Sequence, residues 1–589
     1  MRFSDLIPIW FGLLIILACT PRSGADLILT GGTILTMDRH LAPVEALAIV
    51  DGRILAVGWE DEILPLANWR TKRIDLKGAV VVPGLTDSHF HLLGFGRSLE
   101  QLQLVGTSST EEIADLVAAK ARDLPPGTWI RGRGWDQNDW EGQTFPTGTI
   151  LDEAAPEHPV VLTRIDGHAI WVNNRALALA GVTSETPAPE GGAIIRDENG
   201  NPTGVFIDNA TALVRGVLPK PRKDDIRRWL LGAVQRCNQV GLTEVHDPGV
   251  NGTTLDVIRE LVDEGLFTLR YYGMLDGDDD ALLEQYFSNG PVLNYGGRMT
   301  VRAVKFFADG ALGSRGAALL SPYSDDPGNQ GLLVTPPGEL EALVARTLQA
   351  GFQPCTHAIG DRANRLTLDI YERALARLED RDLRSRIEHA QVIARRDIRR
   401  FARLGVIPTM QPSHATSDMY WAEDRLGPER VRGAYAWRQL LNSGTIIPGG
   451  SDCPVEREEP LLQLYAARTR RDTSGWPEEG WYPGERMGGL EALKAMTTWS
   501  AYAAFEDSTR GKILPGYDAD LTVLSVNPVN CDPRALLSAG VLMTIVGGRV
   551  VWHDKKGFRG LPAAGTPRVM DAADNTSSAP PASSVDDDS

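Results

Sequence analysis

The stretch AVKFFADGALG (residues 303–313) decides how the rest of the chain is read. Val304, Phe306, Phe307 and Ala308 form a strand-like apolar run, with Lys305 in its middle. An isolated ammonium in an apolar interior is costly, and lysine is rarely buried without a partner. Either Lys305 snorkels to water or pairs with Asp309, or it is not an ammonium at all. Working outward, similar runs recur on both sides: PVVLTRID, GLTEVHD, LRYYGML, GFQPCTHAIG, SRIEHAQVI, GVIPTMQPSH and GTIIPGGSD. Between several of them lie amphipathic segments such as DDIRRWLLGAVQRCNQV, GELEALVARTLQA and ANRLTLDIYERALARLE. Repeated β–α alternation implies a parallel sheet, and this many units favours a closed (β/α)8 barrel.

The expected fold class is therefore α/β: a TIM-like (β/α)8 barrel over residues 84–500, with a small β-sandwich domain. The stretch from Gly94 to Arg228 is too long for one crossover, so an insertion of about 97–235 follows the first barrel strand. It is rich in Trp, Gly and Pro. The chain ends read differently. DLILTGGTILTMD, ALAIVDGRILAVG and RIDLKGAVVVPG are short strands, and Asp51-Gly52 between alternating runs signals a hairpin. The pattern returns in ADLTVLSVNP and VLMTIVGGRVVWHD, turned by Gly547-Gly548. One β domain built from both ends, residues 20–83 and 501–565, accounts for this.

At 589 residues, several domains are expected, and 42% hydrophobic with 23% charged residues is ordinary for a globular protein. The net charge of −17, with no basic patch, argues against nucleic acid as a partner. The Pro/Ser-rich acidic tail, 566–589, reads as disordered. At the start, Arg2 precedes LIPIWFGLLIILAC, too short to span a bilayer and matched to a secretory apolar region. Ile16-Leu17-Ala18-Cys19 resembles a bacterial lipoprotein box, so residues 1–19 read as a lipoprotein signal peptide with Cys19 lipidated. That implies an exported protein of the bacterial cell envelope, lipid-anchored in the periplasm or outer membrane, with no other membrane contact. The four remaining cysteines, Cys237, Cys355, Cys453 and Cys531, contain no CxxC and support neither a disulfide framework nor a zinc knuckle.

Polar residues cluster at the C-terminal ends of the strand-like runs, where barrel enzymes place their sites. VVVPGLTDSHFHLLG ends with His89 and His91, whose i, i+2 spacing puts both imidazoles on one side of a strand. His357, His389 and Asp452 sit at three further strand ends. Singly, each is more often a hydrogen-bonded core residue than a ligand. Five at successive strand ends are hard to explain as core.

With PGLTDSHFHL, KFFADGALGSRGA, THAIGD, RIEHAQ and GGSDCPVE in this order, the chain resembles the amidohydrolase superfamily, in its amidohydrolase-3 (YtcJ-like) branch. GRGWDQNDW, RIDGHAIWVNNRAL and GVFIDNA add to the resemblance, which spans about residues 26–560. It implies that Lys305 is carboxylated by CO2 to a carbamate, whose oxygens bridge two divalent metals. By position, one metal takes His89, His91, Lys305 and Asp452; the other takes Lys305, His357 and His389; a bridging hydroxide completes both. Imidazole and oxygen donors without thiolate suit Zn, the default, and also Mn, Co or Fe. Asp452, at the barrel mouth, would serve as general base and then general acid. Arg164, His168, His246, Arg315 and Trp135 are candidate substrate contacts, the last within an aromatic rim that includes Trp140, Tyr420 and Trp421.

The expected activity is hydrolysis of a C–N bond in an amide, N-formyl group or carbamate, as in the N-substituted formamide deformylases of this branch. A deaminase typically carries His-x-x-Glu, whereas Ala358, Ile359 and Gly360 follow His357. Binuclear ester, lactone or phosphotriester hydrolysis shares the ligand set. A non-catalytic ligand-binding lipoprotein is the third class, against which all six ligands are present. The partner is a small-molecule substrate, and a homo-oligomer is compatible with the chain.

Overall fold

The computed structural model describes residues 24–40, 42–377 and 382–555. The expected leader with Cys19 and the acidic tail lie outside the described residues. Among the described residues no helix is long and apolar enough to cross a membrane.

Seven parallel strands form the central sheet: β1 (Leu85–Asp87), β2 (Leu242–Val250), β3 (Arg270–Asp276), β4 (Met299–Phe307), β5 (Gln353–Ala358), β6 (Arg386–His389) and β7 (Ile407–Thr409). They pair side by side in chain order, and a short strand, Val292–Tyr295, adds to β4 antiparallel. β2 to β6 are buried almost throughout, as a parallel sheet covered by helices requires. The helix Lys223–Gln239 buries Ile226, Leu230, Ala233, Val234 and Cys237 at helical spacing, in one core with Val245, Val304 and Ile387. This helix is thus part of the wall around the sheet.

The segment 448–453 touches both edges of this sheet. On one side Met410 N donates to Pro448 O (3.0 Å) and Gly450 N to Met410 O (3.1 Å). On the other, Ser88 N donates to Gly449 O, Asp452 N to His89 O and His91 N to Cys453 O, at 2.8–3.0 Å. These are isolated parallel bridges, Met410–Gly449 and Phe90–Cys453, rather than a ladder. The local sequence explains why. Pro448 has no N–H to donate, and Asp452 has a left-handed backbone (φ 59°).

Two further sheets carry the chain ends. One has strands Arg53–Gly58, Ala46–Val50, Ala25–Thr30 and Ala67–Asp75; the other interleaves Thr33–Ile34 and Val80–Pro83 with Leu521–Leu524, Val541–Val546 and Arg549–His553. Leu27, Leu29 and Ile49 of the first share a core with Val81, Leu521, Val523 and Ile545 of the second. Asp51 and Gly52 both have positive φ (48° and 77°), which a two-residue turn of this hairpin class demands. Arg270, opening β3, is clamped by Asp520 through Nε and Nη2 at 3.0 and 3.1 Å.

A six-stranded sheet lies between Leu102 and Asp208, in the order Gly192–Arg196, Pro202–Asp208, Ala169–Val172, Val160–Arg164, Ile130–Trp135, Leu102–Gln103. It ends well short of residue 235, because Lys223–Gln239 packs on the central sheet. Its core contains Trp135, Trp140, Trp171 and Leu162.

Candidate metal centre

Strand alternation aims the site. Ala303, Lys305 and Phe307 share one face of β4, and Lys305 lies in register with Asp276 and Cys355 on its neighbours. On β5, His357 is level with Phe307 and Glu388. His389 closes β6 with φ 71° and Ala390 follows at 42°. Such backbone costs about 1–3 kcal/mol per residue and persists only where the surroundings enforce it.

Lys305 is 1% exposed, so it does not snorkel. Nor does it pair with Asp309, whose carboxylate accepts the N–H groups of Ala318, Ile359 and Gly360 at 2.8–2.9 Å. Lys305 Nζ sits 3.4 Å from His89 Nε2, and among the described residues no carboxylate lies within 4.0 Å of it. Burial pushes its ammonium down from the ordinary range, toward the neutral amine.

Around it the other five candidate ligands converge. Asp452 Oδ1 lies 3.1 Å from His91 Nε2 and 3.5 Å from His89 Nε2, yet accepts no well-aligned hydrogen bond. The ring of His389 is 4.7 Å from that of His89 and 4.6 Å from that of His357. His89, His389 and Asp452 each offer a ligand atom within 4.8 Å of the others. Burial favours the neutral imidazoles of His357 and His389, and it holds His89 near 4. Burial works against charge on Asp452, and positive charge at His89, His91 or His389 holds the carboxyl well below its ordinary value.

The far nitrogens are already committed. His89 Nδ1 donates to Glu388 Oε2 (2.5 Å), and His389 Nδ1 to Gln411 Oε1 (2.9 Å). Both Nε2 atoms are thereby left with lone pairs facing the centre, as in metal-binding imidazoles. Glu388 is in turn gripped by Arg386, Nε to Oε1 at 2.8 Å. Burial opposes its charge, but Arg386 and His89 win and hold it at about 2. Arg386 also donates to Ser88 O (2.6 Å) and Thr409 Oγ1 (3.1 Å), tying β1, β6 and β7 together. An orphaned carboxylate oxygen, oriented imidazoles and no thiolate make a donor set that fits divalent metal.

The candidate substrate contacts divide. His168 reaches the centre: its ring is 5.1 Å from His357, and its Nδ1 bonds Asp208 Oδ1 at 2.6 Å. Arg164 lines the same cleft but is bound by Asp136, Asp166 (2.6 Å) and Gln137 (2.7 Å). Three do not face it. Trp135 is fully buried in the insertion core, stacked on Trp140 with Nε1 donating to Leu162 O, because a Trp ring there removes more apolar area from water than a rim position can. Arg315 turns to Asp325 (3.0 Å). His246 lies beneath the centre, accepting from Arg386 Nη1 at 3.2 Å, and burial with that guanidinium keeps it neutral. Of the proposed rim, Trp421 lines the cleft, while Tyr420 is exposed and stacks on Trp476.

Sequence reading missed Glu388, Arg386, Gln411 and His414. RIEH offered one signal: Arg386 and Glu388, at i and i+2, share a face of a strand whose end carries a candidate ligand. His414 Nε2 stands 3.8 Å from Asp452 Oδ2.

Residues 72–552 match the model of the amidohydrolase family. The chain belongs to that family. YtcJ of Bacillus subtilis (strain 168) is 34% identical over 530 residues, covering 89% of this chain and 98% of its own. The N-substituted formamide deformylase of Arthrobacter pascens is 28% identical over 554 residues, covering 90% and 99%. The crystal structure of an uncharacterized metal-dependent hydrolase from Pyrococcus furiosus superposes with a TM-score of 0.68 at 29% identity, covering 86% of this chain and all of that one. The branch expected from the motifs is the one found.

Because Glu388 fixes the tautomer of His89, Glu388→Gln should weaken metal retention by about 10–100-fold. Metal content after dialysis against graded chelator measures this; retention equal to wild type would remove Glu388 from that role.

Proposed function

We propose that this protein is a metal-dependent amidohydrolase cleaving the C–N bond of an amide, N-formyl group or carbamate. The observation that carries this reading is the buried Lys305 amine, with no carboxylate within 4.0 Å among the described residues, set among four imidazoles and a carboxylate oxygen that accepts no hydrogen bond. Membership of the amidohydrolase family supports it, as does similarity to a formamide deformylase along nearly the whole chain. We also infer that 448–453 closes the central sheet into a full (β/α)8 barrel, and that the two terminal sheets form a sandwich.

The Lys305 amine, which burial pushes toward its neutral form, suits carboxylation. Its lone pair forms an N–C bond to CO2, a C=O electron pair moves to oxygen, and Nζ releases a proton, leaving a carbamate. The amine is replaced by an anion with two donor oxygens. His89, His91, Asp452 and the Lys305 carbamate would hold one divalent metal, with His357, His389 and the same carbamate holding a second; the donors suit zinc. Bound there, such metals supply an acidified water and a Lewis acid for the scissile carbonyl.

The protein's own residues manage the proton and the substrate. Asp452, ionised and next to the imidazoles, accepts the proton of the attacking water and delivers it to the departing nitrogen. Glu388 and Gln411 keep His89 and His389 in one tautomer through the cycle. His168, anchored by Asp208, borders the position where the acyl group must lie.

Export rests on sequence alone: the apolar run before Cys19 supports a lipid-anchored envelope protein. Cys19→Ser should release the protein from the membrane fraction or stop its maturation, and unchanged processing and membrane retention would reject the anchor.

Lys305→Ala should lose at least one metal per chain and most activity, with partial rescue by short carboxylic acids; two metals and full activity in the variant would end the carbamate account. Asp452→Asn keeps the shape but cannot carry the proton, so kcat should fall about 100-fold or more. The loss should be larger for amides than for activated esters, whose leaving groups need no proton. Equal losses on both would take Asp452 out of the acid step.

A further inference from the structure

An open cleft adjoins the centre, and its walls carry an unbalanced charge. Asp136, Asp166, Asp418 and Glu456 face it, against the single guanidinium of Arg164. Arg164 is already paired with Asp136 and Asp166. Asp418 and Glu456 hydrogen-bond neutral groups, Asp418 accepting from the Tyr435 hydroxyl and Gln391 Nε2 (2.9 Å) and Glu456 from Ser417 Oγ (2.6 Å), and the titratable group that faces both is the imidazole of His414. Among the described residues no Lys or Arg lies within 4.0 Å of either. Arg133 and Arg215 come near, donating to Ile165 O (2.8 Å) and Gly167 O (3.0 Å), but they do not line the cleft.

His414 gives a second sign that something binds here. It lines the cleft, is 8% exposed, and its Nε2 has no hydrogen-bond partner among the described residues. With Nε2 3.8 Å from Asp452 Oδ2, it joins the cleft to the reacting centre. Trp421 supplies an apolar wall.

We propose that this cleft selects substrates carrying a cationic group, an ammonium or guanidinium, which docks against Asp418 and Glu456 while the scissile C–N bond lies at the metal centre. The inference rests on the amidohydrolase reading and adds a substrate class to it. Charge in a partly desolvated wall is costly unless paired, so a ligand cation supplies the missing partner. Burial pushes Asp418 up to about 7 and Glu456 upward, a shift that a bound cation reverses. The same wall repels a carboxylate-bearing substrate, so selection works by exclusion as well as attraction.

The test uses three N-formyl amines of matched length, ending in ammonium, methyl or carboxylate: mono-N-formyl-1,4-diaminobutane, N-pentylformamide and N-formyl-4-aminobutyrate. With the full metal-loaded chain, kcat/KM should favour the ammonium compound over the methyl compound by about tenfold or more, with the carboxylate last. In Asp418→Asn and Glu456→Gln the ammonium-to-methyl ratio should fall toward one. Calorimetric binding of the same compounds reads the preference without turnover. If none is hydrolysed but the ammonium compound binds best, the proposed reaction fails and the cleft assignment stands. A wild-type preference for methyl or carboxylate in both binding and turnover overturns it. So does a ratio unchanged in both variants.

Discussion

A lysine amine at the centre of a parallel sheet, 3.4 Å from an imidazole nitrogen and with no carboxylate within 4.0 Å among the described residues, is costly to keep charged. The interior is arranged around that constraint. His89, His357 and His389 are held neutral by burial, so no cation gathers around Lys305. Asp452 meets the imidazoles on the side away from Glu388, where it keeps an oxygen free. An amine pushed toward neutrality beside neutral imidazoles is a set of lone pairs that favours positive charge, and this is why the centre fits metal better than it fits any internal salt bridge.

Below that layer runs a second one, built from charge that is fully paired. Arg386 donates to Glu388, Ser88, Thr409 and His246, and Glu388 fixes His89. Breaking such a buried network leaves an uncompensated charge, so it works as a rigid platform for the donors above it. Asp87 does the same for the far wall, accepting from Ser451 Oγ (2.6 Å) and N and from His89 N. The site is therefore anchored to the irregular 448–453 segment as firmly as to the regular strands.

The insertion reaches the centre through Asp208 and His168. Asp208 lies where a Cβ on Gly310 or Gly316 would meet its Oδ2 at 2.4 or 2.6 Å. Both glycines belong to the loop that follows the Lys305 strand, and only residues without a side chain admit the carboxylate. Asp208 then holds His168 against His357. The insertion and the sheet carrying the candidate ligands thus meet at a contact that neither could provide alone.

The sequence by itself determined the alternation of strand and helix, the five candidate ligands His89, His91, His357, His389 and Asp452 at strand ends, the hairpin at Asp51-Gly52, and the anomaly of Lys305. These are properties of local period and residue type, which persist whatever the chain packs against. Only the tertiary structure decided the partners. Trp135 became core and Trp421 became wall, because an indole's burial is favourable in either place and depends on which neighbours surround it. Arg315 turned to Asp325, and Arg164 was taken up by two aspartates, because an arginine pairs with whichever carboxylate the fold brings near. Glu388, Gln411 and His414 gained their roles from distances to His89, His389 and Asp452, residues remote in the chain, and spacing along a sequence does not encode such distances.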